Sequence, residues 1–137
     1  MSEPYIAVDL DGTLARFERW LGPMIIGPPI PKMVERVKNW LAEGEVVKIM
    51  TARITAVPGL PFDRAASISN VQDWCEKHIG KRLDVISEKD YLMLQLWDDR
   101  AIQVIPNEGV TIAEKFYENM MKYEERVEVP REPDNKT

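Results

Sequence analysis

Five short apolar runs, rich in β-branched residues and bounded by turn formers, decide what this chain can fold into. They lie at 5–10 (YIAVDL), 45–50 (EVVKIM), 83–86 (LDVI), 93–97 (MLQLW) and 101–105 (AIQVI), and runs of this length and composition read as strands. Between and after them the spacing turns helical. Residues 31–43 open on Pro31, stop before Gly44 and set Met33, Val34, Val37, Trp40 and Leu41 on one face, as helix start and stop signals require. Residues 64–79 group Val71, Trp74, Cys75 and His78 and end at Gly80, a glycine stop. A third helix is expected over 110–125. Strands alternating with helices pair in parallel through crossovers, so the expected class is α/β, a three-layer α/β sandwich around a mostly parallel five-stranded sheet. Only Asp98, Asp99 and Arg100 separate the last two runs, which suits a tight turn.

A chain of 137 residues suits one domain, expected over 1–126. The remainder, 127–137, is charged and proline-containing and reads as a flexible tail. A hydrophobic fraction of 45% and a charged fraction of 30% belong to a globular protein. The formal net charge of −5 disfavours a non-specific nucleic-acid binder, which needs a basic surface. Cys75 is the single cysteine, so no internal disulfide forms. The start MSEPYIAVDL lacks the pattern of a secretory signal and no run reaches membrane-spanning length, so a cytoplasmic location without membrane partners is expected. Residues 14–30, with Gly22, Pro23, Gly27, Pro28 and Pro29, read as an irregular flap, and 54–63 as a second loop.

The chemistry gathers where strands end. Asp9-Leu10-Asp11-Gly12-Thr13-Leu14 follows directly on the first strand. In an extended chain two carboxylates two residues apart share a face, Gly12 permits a sharp turn, and open α/β sheets bind ligands beyond the carboxyl ends of their strands. EVVKIM likewise runs into Thr51-Ala52-Arg53, and MLQLW into Asp98-Asp99-Arg100. Parallel strands would bring these endings to one edge, where Asp9, Asp11, Asp98 and Asp99 would repel one another unless a cation lay among them. Oxygen-only ligands with room for water and a phosphate oxygen fit Mg²⁺ better than zinc.

DLDGTLA, the strand-terminal Thr51, a later lysine and the acidic pair Asp98-Asp99 closely resemble, in order, the four motifs of the haloacid dehalogenase superfamily, over residues 5–106. The resemblance implies a Rossmann-like fold and makes Asp9 the nucleophile and Asp11 the general acid/base. It makes Thr51 and Lys89 phosphate ligands, with Gly12, Ala52 and Arg53 beside them, and Asp98 a magnesium ligand supported by Asp99. Asp9 and Asp11 would join the metal site, Asp11 through its backbone carbonyl. Dehalogenase members lack an Asp at position 11 and need no metal, so phosphotransfer through an aspartyl-phosphate is implied here. The spacings leave no room for an inserted cap. Capless members act on large substrates or borrow a neighbouring subunit, so a homo-oligomer fits. TAR, a long loop, a Trp-bearing helix and DDR resemble the phosphatase part of polynucleotide kinase–phosphatases. That resemblance implies a phosphorylated small molecule, a nucleotide or a nucleic-acid 3′-phosphate end.

Plainer roles stand beside these. An isolated D-x-D-G can be a turn, although an EF-hand starting at Asp9 fails, with Leu14 and Trp20 where Gly and Glu belong. Thr51 could cap the chain, and Asp98-Asp99 could be an ordinary turn. Lys89 sits in a charged run and competes with Lys81, but follows the strand LDVI where Lys81 precedes it. Arg53 could reach a phosphate or make a structural salt bridge. Cys75, His78, Trp40, Trp74 and Trp97 read as core. Arg16, Phe17, Arg19 and Trp20 could stack on a base or grip a phosphate from the flap. Two further functions stay open: a non-catalytic module recognising phosphate on the same fold, and a phosphotransferase.

Overall fold

The computed structural model describes residues 3–126; the expected tail at 127–137 lies outside the described residues. The chain divides into two compact units between Asp99 and Arg100, where the sequence suggested one domain through 126.

The first unit holds a sheet of four parallel strands: β1 (Tyr5–Asp9), β2 (Val47–Met50), β3 (Val85–Ile86) and β4 (Met93–Trp97), in the order β3-β2-β1-β4. Helix α1 (Pro31–Ala42) links β1 to β2, and α2 (Arg64–Ile79) links β2 to β3. Both helices pack on one face. Alternation along the strands puts Ile6, Val8, Val47 and Ile49 on that face, where they meet Val34 and Val37 of α1 and Val71, Trp74, Cys75 and Ile79 of α2. Cys75 is completely buried and burial pushes its thiol up to about 12, so it packs as a small apolar residue. Trp97 closes the β4 edge of this core against Trp40, edge to face at 5.1 Å, and under the Arg36 guanidinium.

The opposite face is built differently. Residues 87–92 carry the chain from β3 past β2 and β1 to β4 with no helix. Tyr5 on that face is fully buried; Lys48 lies over its ring and its hydroxyl donates to Asp90 Oδ1 at 3.0 Å. In this unit the sheet therefore carries helices on one side only, and the three-layer arrangement expected from the sequence is not formed by α1 and α2.

The helix ends follow from their residues. Pro31 occupies the first turn of α1, where its missing N–H costs nothing. Asp63 accepts the Ala66 N–H to cap α2, and Gly80 ends it in the left-handed region at φ 92°.

In the second unit the fifth expected strand, 101–105, is absent as a ladder strand. Val104 makes only one antiparallel bridge, to Thr111. The Ile105 N–H donates to the Val110 carbonyl across a tight turn in which Asn107 and Gly109 both take positive φ, so the run folds back on its own neighbours. Helix α3 (Ile112–Arg126) follows, with the Glu114 N–H donating to the Thr111 hydroxyl.

Candidate active site

β1 and β4 are adjacent and parallel, with Val8 opposite Trp97, so the next residues, Asp9 and Asp98, leave the sheet side by side. On the other flank Asp9 lies opposite Met50, which brings Thr51 to the same edge. The chain then turns sharply. The Thr13, Leu14 and Ala15 N–H groups all donate to the Leu10 carbonyl, at 3.3, 3.0 and 2.8 Å. Gly12 takes φ +87°, and a β-carbon there would collide with the Asp99 carboxylate.

This turn corrects one expectation. The shared face expected for Asp9 and Asp11 needs an extended chain, but β1 ends at Asp9 and the turn begins at once. The carboxylates of Asp9, Asp98 and Asp99 each offer an oxygen within 4.8 Å of the others. Asp11 does not join them. Its carboxylate is held by Arg53, with Nε donating to Oδ2 at 2.7 Å and Nη2 to Oδ1 at 2.9 Å.

Three carboxylates this close together could hold a metal ion. Burial first, then the Asp98 charge, then hydrogen bonding and repulsion from Asp99, push the Asp9 carboxyl up to about 7 from its ordinary 3.8. A divalent cation among these oxygens would remove the part of that shift that comes from the Asp98 and Asp99 charges. Thr13 knits the group together: its hydroxyl accepts the Asp99 N–H at 3.0 Å and lies 3.4 Å from both Asp9 Oδ2 and Asp99 Oδ1. Its role was not foreseen, although it stands inside the Asp9–Leu14 motif.

Thr51 is buried and its hydroxyl accepts the Arg53 N–H at 3.1 Å, opening a 3₁₀ turn over Ala52–Ile54. This is the capping role, and it leaves the hydroxyl proton available to a ligand. Ala52 is exposed on the turn and Arg53 is buried. Lys89 is exposed in the segment after β3. Lys81 lies ahead of β3, between it and α2.

The flap closes on itself. Ala15 bridges Pro29, the Arg16 N–H donates to the Pro28 carbonyl and the Ile30 N–H to the Leu14 carbonyl, both at 2.8 Å. Trp74 Nε1 holds the Gly27 carbonyl at 3.0 Å and the Asn70 amide holds that of Met24 at 3.2 Å. The Trp20 ring lies against the Arg53 guanidinium, 4.8 Å from its centroid, and remains 54% exposed. Arg16 pairs with Glu18 within the flap itself.

No family model and no curated protein matches the chain. A solved structure described as that of a conserved protein from Bacteroides thetaiotaomicron is similar, with 20% identity and a TM-score of 0.51 over 89% of this chain and 93% of that one. At that identity the likeness speaks for the α/β fold alone. Among the described residues, no helix is long and apolar enough to cross a membrane.

Proposed function

We propose that the chain is a magnesium-dependent phosphomonoester hydrolase of the haloacid dehalogenase type, with the four-stranded sheet as its Rossmann-like core. The observation that carries this reading is the meeting of Asp9, Asp98 and Asp99 at adjacent parallel strand ends, within 4.8 Å of one another, with Thr51 one strand away.

On this reading Asp9 and Asp98 hold the cation, Asp99 supports them and the Asp11 backbone carbonyl adds an oxygen. Magnesium bound there would offset the charge of the carboxylates and of the substrate's phosphate oxygens. The chain's own residues do the rest. An Asp9 oxygen attacks phosphorus, the bond to the leaving oxygen breaks and the proton on that oxygen comes from Asp11. Asp11 then takes a proton from water, the water oxygen attacks phosphorus and the Asp9–phosphorus bond breaks to free phosphate. Thr51, the 3₁₀ turn at Ala52 and Lys89 orient the phosphoryl oxygens.

For the substrate we favour a nucleotide or a nucleic-acid 3′-phosphate end, because Trp20 offers a half-open ring beside the site. The lone buried Cys75 needs no oxidising compartment, consistent with work in the cytoplasm. The test is phosphate release from a panel of nucleoside monophosphates, 3′-phosphorylated oligonucleotides and sugar phosphates, with Mg²⁺ or EDTA. Release only with Mg²⁺ is expected. A folded protein that binds magnesium yet releases nothing would favour the phosphate-recognising module, and transfer to an acceptor without free phosphate would favour the phosphotransferase.

A further inference from the structure

The Arg53 side chain joins three separate segments of the first unit. It is only 4% exposed, and its nitrogens are directed to protein acceptors. Nε and Nη2 grip both oxygens of Asp11 at 2.7 and 2.9 Å, while Nη1 faces the Gly22 and Pro23 carbonyls at 3.4 and 3.3 Å. The flat face of the guanidinium carries the Trp20 ring. Its own N–H is donated to the Thr51 hydroxyl, so the base of the side chain is tied to the end of β2. A bidentate arginine–carboxylate pair fixes both partners in orientation as well as distance. A guanidinium occupied in this way has little left for a phosphate.

We infer that Arg53 is a positioning residue: it sets the Asp11 carboxylate and the flap at 20–23 in one arrangement and does not itself bind the substrate phosphate. This rests on the hydrolase reading in assigning Asp11 a catalytic task, while the tether between Asp11 and the flap stands on the contacts alone. Lysine at position 53 keeps a positive charge but cannot hold both carboxylate oxygens and a flap carbonyl in one plane.

Two measurements test it. In steady-state hydrolysis of a small aryl phosphate, which reaches nothing beyond the phosphate site, Arg53→Lys should lower kcat by about a hundredfold and leave KM within about a factor of two. A KM that rises while kcat holds would make Arg53 a phosphate ligand, and no change in either would leave it only structural; both overturn the inference. The second measurement is limited trypsin cleavage after Arg16 and Arg19 in the flap. It should run several-fold faster in Arg53→Lys and in Asp11→Asn than in the wild type, with the circular dichroism unchanged. Wild-type rates in both variants would remove the tether. If the wild type hydrolyses no substrate, the catalytic reading fails and the trypsin comparison still decides the tether; if Arg53→Lys does not fold, Asp11→Asn decides it.

Discussion

Gly12 lies directly against the Asp99 carboxylate, close enough that a β-carbon on residue 12 would collide with it. Its φ of +87° adds a second reason for glycine, since L side chains pay about 1–2 kcal/mol for the left-handed region. Gly12→Ala is therefore expected to destabilise the fold by at least that amount and to push Asp99 out of the triad. Thermal unfolding with and without magnesium checks this: the variant should unfold earlier and lose most of the magnesium-induced shift. A variant that matched the wild type in both would contradict the packing described.

The Asp9 carboxyl gives a pH signature with a definite sign. Its folded value of about 7 lies above the ordinary 3.8, so between those pH values the folded chain holds a proton that the unfolded chain has lost. The contribution of Asp9 thus falls as pH rises through that window, and the metal-free protein loses stability there. A cation on the triad removes this penalty but must compete with the proton. Melting-temperature shifts on adding magnesium should be larger at about pH 8 than at about pH 5, and EDTA should reverse them. Equal shifts at both would count against the triad as the cation site.

Much of this architecture could be read in the chain because its runs are short and well punctuated. β1, β2 and β4 follow from their apolar runs, and α2 from its apolar face and the Gly80 stop. Two of the departures have plain physical reasons. A run such as AIQVI has strand composition, but composition does not say whether a ladder partner exists, and Val104 finds only Thr111. The direction of the Asp11 carboxylate was misread because two-residue periodicity holds only while the chain stays extended, and the three N–H groups gathered on the Leu10 carbonyl end that extension at once. Its partner Arg53 is distant in sequence, and nothing local marks the pair. The meeting of Asp9 with Asp98 and Asp99, by contrast, follows from strands that are parallel and, in the structure, adjacent, without the Asp11 carboxylate expected beside them.

The two lysines separate cleanly by position. Lys89 follows β3 and Lys81 precedes it, so Lys89→Ala should reduce kcat/KM for a good substrate by about a hundredfold, while Lys81→Ala should behave as wild type. The reverse pattern in steady-state kinetics would reassign the phosphate lysine.

Trp20 presents a ring backed by Arg53 and about half open. If bases stack there, Trp20→Ala should raise KM for nucleotides about tenfold or more and leave an unadorned aryl or alkyl phosphate untouched. An unchanged KM for nucleotides would remove the ring from substrate binding.

The most direct measurement of the central claim is acid-quenched labelling with a ³²P-phosphomonoester that the protein hydrolyses in Mg²⁺. The expected result is an alkali-labile label on the peptide containing Asp9, with both label and phosphate release lost in Asp9→Asn. Phosphate release by Asp9→Asn at the wild-type rate would contradict it.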